Sequence, residues 1–307
     1  MSEDNKISGR VIANARVSGL LNTVIKRVDG VAVNTTAFST GLLDTYGSAA
    51  AAYSVRRLSS SYTGACMRVR EDGGNTETDI GFNSAGNLDV LAIRDHCGSN
   101  SGFIRYWYDQ SGNAVDAGQA TEVNQPQIYN GTAVITENGK PAVEFDGTND
   151  NLDVGSSITI STSDYQHFGV YRIDNSNTSN FVGVVRDNNA QNNHLLYSNT
   201  GSGYMRTGLS NSFYSPTIST AIIPIAQSLL AIQYDRDSNA SFFIDATAAG
   251  TADISAKSAS SLSMQPRIGG AGATETLNGT IQEFILWSNI ANRTGIETDI
   301  NTYFSIY

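Results

Sequence analysis

The chain of 307 residues has a net charge of −10, with 40% hydrophobic and only 16% charged residues. An acidic chain of this kind is repelled by nucleic-acid phosphates and anionic lipid, and no apolar run is long enough to cross a bilayer, so we expect neither a nucleic-acid partner nor membrane insertion. Only Cys66 and Cys97 and three scattered histidines are present, which predicts two buried thiols or one bridge between them, no metal site and no cofactor.

The first 40 residues differ from the rest of the chain in charge. They contain a small basic cluster, formed by Lys6, Arg10, Arg16, Lys26 and Arg27. The segments GRVIANARV and NTVIKRVDGVAV alternate apolar and polar residues as short strands do, with an Asp-Gly turn in the second. Either these strands extend the main domain, or residues 1–40 form an arm that docks on another subunit. The segment MSEDNKISGRV lacks the apolar stretch of a secretory signal, so we expect synthesis in a cytoplasm.

Three segments have helical patterns. LLDTYGSAAAAYSVRRLSSSY combines an alanine run with apolar residues on one face and predicts a helix over residues 42–59, ending near Ser59. LDVLAIRDHC predicts a short helix with Asn87 as its N-cap and Gly98 at its end. NRTGIETDINTYF predicts a C-terminal helix whose buried face contains Ile296, Ile300 and Phe304.

Short strand patterns dominate the rest of the chain. They are rich in β-branched or aromatic residues and bounded by turn residues, as in GFIRYWYD, PAVEFDG, QHFGVYRID, NFVGVVRD, HLLYSN, SLLAIQYD, ASFFIDA and TIQEFILWS. Because parallel strands would need crossover helices between them, repeated strands without helices predict antiparallel pairing. We therefore expect an all-β, two-sheet antiparallel jelly-roll sandwich with a few short helices over residues 41–307, preceded by an N-terminal arm of residues 1–40.

Two sets of motifs resemble known families. PAVEFDGTNDNLDV, followed far downstream by LNGTIQEFILWS and a terminal helix, resembles the first and last strands of concanavalin-like or laminin-G-like jelly rolls. YSVRRLSSSYTGACMRVR, IRYWYDQSGNAVDAGQA, NGKPAVEFDG and RIGGAGATETLNGTIQEF resemble the catalytic domain of the arabinofuranosidase B group, family 54 of the glycoside hydrolases. The second resemblance implies a retaining mechanism with a Glu nucleophile and an Asp acid/base.

The two acids implied by the resemblance are missing at the matching positions. In the family an Asp follows the Ile-Gly-Gly segment, where this chain has Ala271. The nucleophile is expected from the middle of the domain, but residues 188–234 contain no Asp or Glu. Glu275 lies close enough in the sequence to offer a displaced acid. Since glycoside cleavage of this type needs two carboxylates, the sequence favours a chain without catalytic residues.

Other carboxylates near these motifs have structural interpretations. Asp109 is expected to cap the turn after its strand, as Asp does in Asx-turns. Glu144 and Asp146 share one parity of a strand and are expected to face solvent together. DRDSN imitates the start of a calcium loop but is expected to be a hairpin turn. GTNDNLD is a second calcium candidate, and solvated surface is the expected role of its acids, Asp150 and Asp153.

Polar, Asn-rich loops with aromatic residues suit either sugar binding or an ordinary exposed surface. Amides donate and accept hydrogen bonds with sugar hydroxyls, and aromatic rings cover the apolar side of a sugar, as DNNAQNNH and SNTGSGYMRTGLSNSFYSP would allow. In IRYWYDQSGN, an outward tryptophan or tyrosine would stack on a sugar, whereas an inward one packs in the core. The candidate sugar-binding residues are Trp107, Asn192, His194, Tyr204 and Tyr214.

The missing acids lead to the prediction of a non-catalytic surface protein. Chains that resemble this one, with YDQSGN and FDG motifs, look like parts of tailed-phage virions, which implies a tail fibre, a receptor-binding protein or a head decoration assembled in the host cytoplasm. Residues 1–40 are then expected to bind other virion proteins, the protein to form homo-oligomers, and the sandwich to contact cell-surface glycans. The alternatives are an arabinofuranosidase-like glycoside hydrolase that uses Glu275 and a second acid, and a scaffold without a ligand.

Overall fold

The computed structural model of the chain is built mainly from short antiparallel strands. It describes residues 23–28, 31–36, 38–174, 181–187, 194–199, 204–209, 212–214, 226–257, 262–272, 275–290 and 292–307. The α-helices of this part are α1 (Leu42–Tyr46), α2 (Val90–Cys97) and α3 (Arg293–Phe304). None of these helices has the length and apolar character that a membrane span requires.

The strands are numbered in chain order. Up to residue 154 they are β1 (Thr23–Val28), β2 (Val31–Thr36), β3 (Ala51–Ser54), β4 (Met67–Glu71), β5 (Glu77–Ile80), β6 (Ser101–Trp107), β7 (Ala117–Gly118), β8 (Gln127–Asn130), β9 (Thr136–Glu137), β10 (Lys140–Pro141), β11 (Val143–Asp146) and β12 (Leu152–Val154). Beyond it they are β13 (Ile158–Ser161), β14 (Tyr165–Ile173), β15 (Phe181–Asp187), β16 (His194–Asn199), β17 (Tyr204–Leu209), β18 (Ser212–Tyr214), β19 (Ser228–Tyr234), β20 (Asn239–Ile244), β21 (Thr247–Asp253), β22 (Leu262–Met264), β23 (Pro266–Ile268), β24 (Gly270–Gly272), β25 (Glu275–Thr276) and β26 (Asn278–Trp287).

Two antiparallel sheets enclose the core. One follows the order β3–β26–β14–β19–β20–β21. The other follows the order β5–β4–β6–β7–β12–β23–β15–β16–β17–β18. The strands β8 and β11 join them, because β8 pairs with β6 and β11 pairs with both β8 and β26. Tyr53 of β3 and Trp107 of β6 are fully buried, with their ring centroids 6.2 Å apart. The predicted two-sheet antiparallel sandwich with a few short helices is confirmed.

A β-bulge interrupts the alternation of buried and exposed side chains along β6. The consecutive residues Arg68 and Val69 of β4 pair with Tyr106 and Ile104, which leaves one residue of β6 without a partner. A bulge of this kind shifts the side chains that follow it to the other face of the strand. Ile104 and Trp107, three positions apart, are therefore both buried in the core.

The helix predicted over residues 42–59 ends much earlier. α1 stops at Tyr46 because Gly47 follows with φ of +83°, a conformation that glycine adopts without steric cost. The alanine-rich continuation forms β3, in which Ala51, Ala52 and Tyr53 are completely buried and paired with β26. Alanine's helix propensity is worth less than about 1 kcal/mol per residue. Burial in the sandwich therefore outweighs it.

The other two helices agree with the sequence pattern. The prediction of Asn87 as the N-cap of α2 is wrong. The N-cap is Asp89, because a side-chain oxygen of Asp89 accepts a hydrogen bond from the N–H of Ala92 at 3.1 Å. Gly98, with φ of +59°, ends α2 as predicted. The buried face of α3 contains the three predicted residues, Ile296, Ile300 and Phe304.

The N-terminal region contributes one described hairpin. β1 and β2 pair antiparallel, with Val28 opposite Val31, and the Asp-Gly residues predicted to form the turn lie outside the described residues. Within the described part of the chain, this hairpin pairs with no further strand. The other predicted strand, GRVIANARV, lies outside the described residues. The division into residues 1–40 and 41–307 stays a prediction.

A buried ionic network attaches α3 to the sandwich. Arg56, which follows β3, pairs with Glu283 of β26 and with Asp299 of α3 at N–O distances of 2.8 and 2.7 Å. The rings of Tyr303 and Phe304 lie 5.0 and 5.6 Å from the guanidinium carbon. One side chain therefore connects a strand of the core to the middle and the C-terminal end of α3.

Both cysteines are free and buried. Burial raises the pKa of the Cys97 thiol to about 11 and holds that of Cys66 far above its ordinary value. Since the thiolate is the reactive form, we expect neither cysteine to react with dithiobis(nitrobenzoate) in the native protein at pH 8. Both should react after guanidinium is added, which absorbance at 412 nm measures. Rapid labelling of the native chain would contradict this expectation.

Candidate functional site

An acidic cleft of about 500 Å³ lies on the outer face of the sheet where β4, β6, β8 and β11 meet. Its walls combine carboxylates, a guanidinium, amides and two apolar side chains: Asp72, Glu122, Glu144, Asp146, Asp150, Arg70, Asn75, Gln125, Gln127, Phe103 and Val123. These residues come from strands and loops that lie far apart in the sequence. The acidic cleft is therefore a product of the fold and not of one motif.

Four strands place their side chains in one row across the acidic cleft. Arg70 of β4 lies opposite Phe103 of β6, Phe103 lies opposite Gln127 of β8, and Gln127 lies opposite Glu144 of β11. Directly opposed residues of antiparallel strands point to the same face of the sheet. The residues on either side of Glu144 along β11 are fully buried, so Glu144 faces outward as its strand parity predicts.

Arg70 supplies the positive charge of the acidic cleft. Its Nε donates to Oε1 of Gln125 at 2.7 Å, and its Nη1 donates to Oδ1 of Asn75 at 2.6 Å. The guanidinium also lies over the ring of Phe103, 5.2 Å from the centroid. Among the described residues it forms no salt bridge. Its charge therefore remains available to the neighbouring carboxylates and to a bound ligand.

The turn after β11 buries the carboxyl group of Asp150. Oδ1 of Asp146 accepts hydrogen bonds from the N–H groups of Thr148 and Asn149 at 2.7 and 3.3 Å, and Gly147 has φ of +78°. This turn brings the chain back, so that the N–H of Asp146 donates to Oδ2 of Asp150 at 2.9 Å. Only 7% of Asp150 remains exposed.

The environment of Asp150 favours its protonated form. Burial raises the pKa of Asp150 to about 7, although the hydrogen bond from the Asp146 N–H opposes the shift, and the charges of Asp146 and Glu144 raise it further. A protonated carboxyl is therefore accessible to Asp150 near neutral pH. Glu144 lines the same cleft. A buried acid close to a second carboxyl group is an arrangement that supports proton transfer.

The structure explains Asp109 of the YDQSGN motif as a turn residue. Its Oδ1 accepts hydrogen bonds from the N–H groups of Ala52 and Ser111 at 2.8 and 2.9 Å. Its Oδ2 accepts from Oγ of Ser111 at 2.6 Å and from the N–H of Val115 at 3.3 Å. The predicted capping role of Asp109 is confirmed, and it also ties this turn to β3.

The calcium candidates do not form a cation site in the described residues, where no group of three His, Cys, Asp or Glu side chains is arranged to hold a metal ion. In DRDSN the N–H of Asp235 donates to the carbonyl of Asn239, which makes the predicted hairpin turn between β19 and β20. Asp153 of GTNDNLD pairs with Arg267. The prediction of a solvated surface is wrong for Asp150, because the turn folds its carboxyl inward.

The residues predicted to bind sugar lie in different settings. Trp107 is fully buried against the core, so it presents no face to solvent in this structure. His194, Tyr204 and Tyr214 belong to the adjacent strands β16, β17 and β18, and their side chains lie outside the described residues. Asn192 also lies outside them. A role of Asn192, His194, Tyr204 and Tyr214 in sugar binding stays a prediction.

Sequence reasoning missed the residues that make the acidic cleft unusual. Strand parity identified Glu144 and Asp146, but nothing periodic marks Asp150, which lies four residues after Asp146 in FDGTND. The glycine between them predicts a tight turn, and a tight turn places two acids four residues apart close together. That signal was present in the sequence, whereas the position of Arg70 depends on the pairing of β4 with β6.

The chain is similar to glycoside hydrolases. The family model for the catalytic domain of α-L-arabinofuranosidase B matches residues 44–177. A GH54 α-L-arabinofuranosidase soaked with a cyclic sulfate inhibitor is 18% identical, matches 84% of the chain and gives a TM-score of 0.61. An arabinofuranosidase complexed with arabinofuranosyl-α-1,2-xylobiose is 18% identical, matches 82% and gives 0.57. A variant GH54 enzyme soaked with 4-nitrophenyl α-L-arabinofuranoside is 17% identical, matches 84% and gives 0.53.

These similarities confirm the jelly-roll type of the sandwich, since likeness at such identities reports the fold. The match covers 62% of the length of each of the three solved proteins. No curated protein matches the chain.

The prediction of a non-catalytic virion surface protein is wrong. The family model and the three solved structures described above are those of arabinofuranosidases, which favours the alternative drawn from the sequence. The prediction rested on Ala271 and on the acid-free residues 188–234. The acidic cleft contains carboxylates that do not belong to those positions.

Proposed function

We propose that the chain is a glycoside hydrolase and that the acidic cleft is its active site. The observation that carries the proposal is the placement of two carboxyl groups, those of Asp150 and Glu144, in one cleft, with Asp150 only 7% exposed. This burial raises the pKa of Asp150 to about 7. Glycoside cleavage needs one carboxylic acid that is protonated near neutral pH and a second carboxylate that is ionised. The family match over residues 44–177 supports the same reaction class.

In this proposal Asp150 is the proton donor. It protonates the glycosidic oxygen while the bond between that oxygen and the anomeric carbon breaks, so the electron pair of the bond leaves with a neutral alcohol. Positive charge develops on the anomeric carbon, and the carboxylate of Glu144 stabilises it. Glu144 then either bonds to that carbon or removes a proton from an attacking water. Retention of the anomeric configuration in the released sugar, followed by NMR, identifies the first course, and inversion identifies the second.

The substrate class is inferred from the proteins that the chain is similar to, whose structures hold arabinofuranosyl-α-1,2-xylobiose or 4-nitrophenyl α-L-arabinofuranoside. We therefore infer an α-L-arabinofuranoside. The acidic cleft offers groups that suit such a sugar. Nδ2 of Asn75 and Oε1 of Gln127 bond to no described residue and are placed to form hydrogen bonds with the hydroxyl groups of the sugar. Phe103 supplies an apolar surface for the ring.

Release of nitrophenol from 4-nitrophenyl α-L-arabinofuranoside tests the proposal. We expect the purified chain to hydrolyse this compound and the double variant Asp150→Asn, Glu144→Gln to be slower by about 10³-fold or more, because neither acid remains. Asp237→Asn is the matched control, since Asp237 is an exposed acid that does not line the acidic cleft.

Two results would contradict the proposal. One is a wild-type chain that releases no nitrophenol from aryl furanosides. The other is a double variant that melts at the wild-type temperature and keeps the wild-type rate of hydrolysis.

Glu275→Gln provides a further comparison, because β25 adjoins the turn of the acidic cleft. The hydroxyl Oγ1 of Thr276 in β25 donates a hydrogen bond of 2.7 Å to the carbonyl of Gly147 in that turn. Loss of activity in Glu275→Gln alone, with full activity in the double variant, would assign the acids to β25.

The predictions about partners and location stay predictions. They comprise attachment to another protein through residues 1–40, assembly into homo-oligomers, contact with cell-surface glycans, and placement in a virion.

A further inference from the structure

A second pocket, of about 430 Å³, lies at the end of β6 beside the YDQSGN turn. We call it the tyrosine pocket, because Tyr62 and Tyr108 line it together with Asp79, Asp116, Gly112 and Ala114. None of the residues that line the tyrosine pocket also lines the acidic cleft. It is therefore a separate site on the molecule.

Hydrogen bonds fix the orientation of both tyrosine rings. The hydroxyl of Tyr108 donates to Oδ1 of Asp79 at 2.7 Å, and Arg68 holds Asp79 through two hydrogen bonds of 2.7 and 2.8 Å. The hydroxyl of Tyr62 donates to the carbonyl of Ala65 at 2.7 Å. Both rings are nevertheless partly exposed. A ligand would therefore meet aromatic surfaces that are already ordered, which lowers the entropic cost of binding.

Ring contacts add to this order. Tyr108 lies nearly parallel to Tyr106, with an interplanar angle of 11° and centroids 6.1 Å apart. Tyr62 meets the ring of Phe82 edge-on, at 76° and 6.4 Å. Small residues, Gly112 and Ala114 among them, leave the space beside the rings open, and a Cβ added at Gly112 would meet no atom within 4 Å.

The charges around the tyrosine pocket narrow the chemistry of its ligand. Asp79 is paired with Arg68, and both oxygens of Asp109 are occupied by groups of its own turn. Asp116 accepts one hydrogen bond, from the N–H of Asp109 at 2.9 Å, and has no cationic partner among the described residues. An anionic ligand would be repelled by this carboxylate. A neutral ligand with hydroxyl groups would donate hydrogen bonds to it.

We propose that the tyrosine pocket binds a neutral sugar residue of a polysaccharide. The rings of Tyr62 and Tyr108 cover the apolar C–H face of the sugar, and Asp116 accepts hydrogen bonds from its hydroxyl groups. The pocket holds polysaccharide without cleaving it, so this proposal does not depend on the hydrolytic activity of the acidic cleft.

Affinity electrophoresis in gels that contain arabinoxylan, a neutral polysaccharide of pentoses, tests this proposal. The parent protein is the Asp150→Asn, Glu144→Gln variant, which prevents cleavage of the polymer. We expect arabinoxylan to retard the parent, and Tyr108→Ala or Tyr62→Ala to weaken the interaction about tenfold, as loss of one aromatic contact implies. Tyr307→Ala is the matched control, because Tyr307 is an exposed tyrosine outside the pocket and its loss should change nothing.

Three outcomes would overturn the proposal. The first is a parent protein whose migration arabinoxylan does not retard. The second is a folded Tyr108→Ala variant that is retarded as strongly as the parent. The third is NMR evidence that a small organic cation, tetramethylammonium, binds the tyrosine pocket while the polysaccharide does not. In the otherwise wild-type chain, Tyr108→Ala is expected to release nitrophenol from the aryl arabinofuranoside at the wild-type rate. Failure of polysaccharide binding and failure of hydrolysis therefore appear in separate assays.

Discussion

Replacing Asp150 by asparagine is expected to lower kcat by about 10²–10⁴-fold for a substrate whose leaving group is a sugar, which is the usual contribution of a general acid. Asparagine keeps the size of the side chain and an oxygen that accepts the hydrogen bond from the Asp146 N–H, but it cannot donate a proton to the glycosidic oxygen. A nitrophenol leaving group needs little protonation, so the loss should be smaller for the aryl arabinofuranoside. Comparing the two substrates therefore separates proton donation from a general loss of the active site.

The pH dependence provides a second measurement on the same variant. Because the pKa of Asp150 lies near 7, kcat/KM of the wild-type chain for an oligosaccharide should fall as the pH rises through about 7. In Asp150→Asn this fall should disappear, while Asp237→Asn, which changes an acid outside the acidic cleft, should keep it. An unchanged profile in Asp150→Asn, or equal losses on both substrates, would show that Asp150 does not donate the proton.

Asp150 also makes the stability of the fold dependent on pH. Its folded-state pKa is raised from 3.8 to about 7, so the folded chain binds the proton more tightly than the unfolded chain. The corresponding stabilisation is fully present below about pH 4 and is lost as the pH rises through 7, with an upper bound of about 4 kcal/mol by linkage. Asp150→Asn should therefore be more stable than the wild type at pH 8, which denaturant unfolding measures. A residue that costs stability in its ionised form is common at active sites.

The strands could be predicted from the sequence because burial imposes a short, local pattern on them. The segments QHFGVYRID and TIQEFILWS became β14 and β26, whose side chains are almost all buried. Local pattern failed where a contact between distant strands decides the conformation. Ala51 and Ala52 are good helix formers, but pairing with β26 makes them part of a strand. Likewise, Trp107 turns inward only because a bulge relative to β4 shifts its position in β6.

The candidate site was less predictable than the fold for the same reason. Glu144 could be placed on an outward face by strand parity, but its proximity to Arg70 depends on the register of four strands. The raised pKa of Asp150 depends on a turn that folds back over its carboxyl. A family pattern compared position by position detects acids that are missing from expected places. It does not detect acids that a fold assembles elsewhere.

Truncating Glu283 to alanine is expected to lower the free energy of unfolding by about 3–5 kcal/mol, the usual cost of leaving a buried charge without its partner. Glu283 is completely buried and accepts hydrogen bonds from Oγ of Ser54 at 2.6 Å and from Nε and Nη2 of Arg56 at 2.8 and 3.0 Å. Burial alone would lower the pKa of Arg56, but the charge of Glu283 raises it above its ordinary value, so the guanidinium stays charged. Without Glu283 only Asp299, which is partly exposed, remains to balance that charge.

Urea unfolding of matched variants separates the ion pair from simple loss of packing. Asp299→Asn removes the exposed partner of Arg56 and should cost about 1 kcal/mol or less, since screened pairs contribute little. The double variant Arg56→Met, Glu283→Leu removes both buried charges and should recover most of the stability lost in Glu283→Ala, because apolar groups of similar volume replace a desolvated pair at little cost.

Proteolysis provides a separate measurement on Glu283→Ala. Because Arg56 also packs against Tyr303 and Phe304, the C-terminal helix should become the first site of proteolysis in this variant. If the double variant Arg56→Met, Glu283→Leu is as unstable as Glu283→Ala, then lost packing, and not the unpaired charge of Arg56, determines the loss of stability.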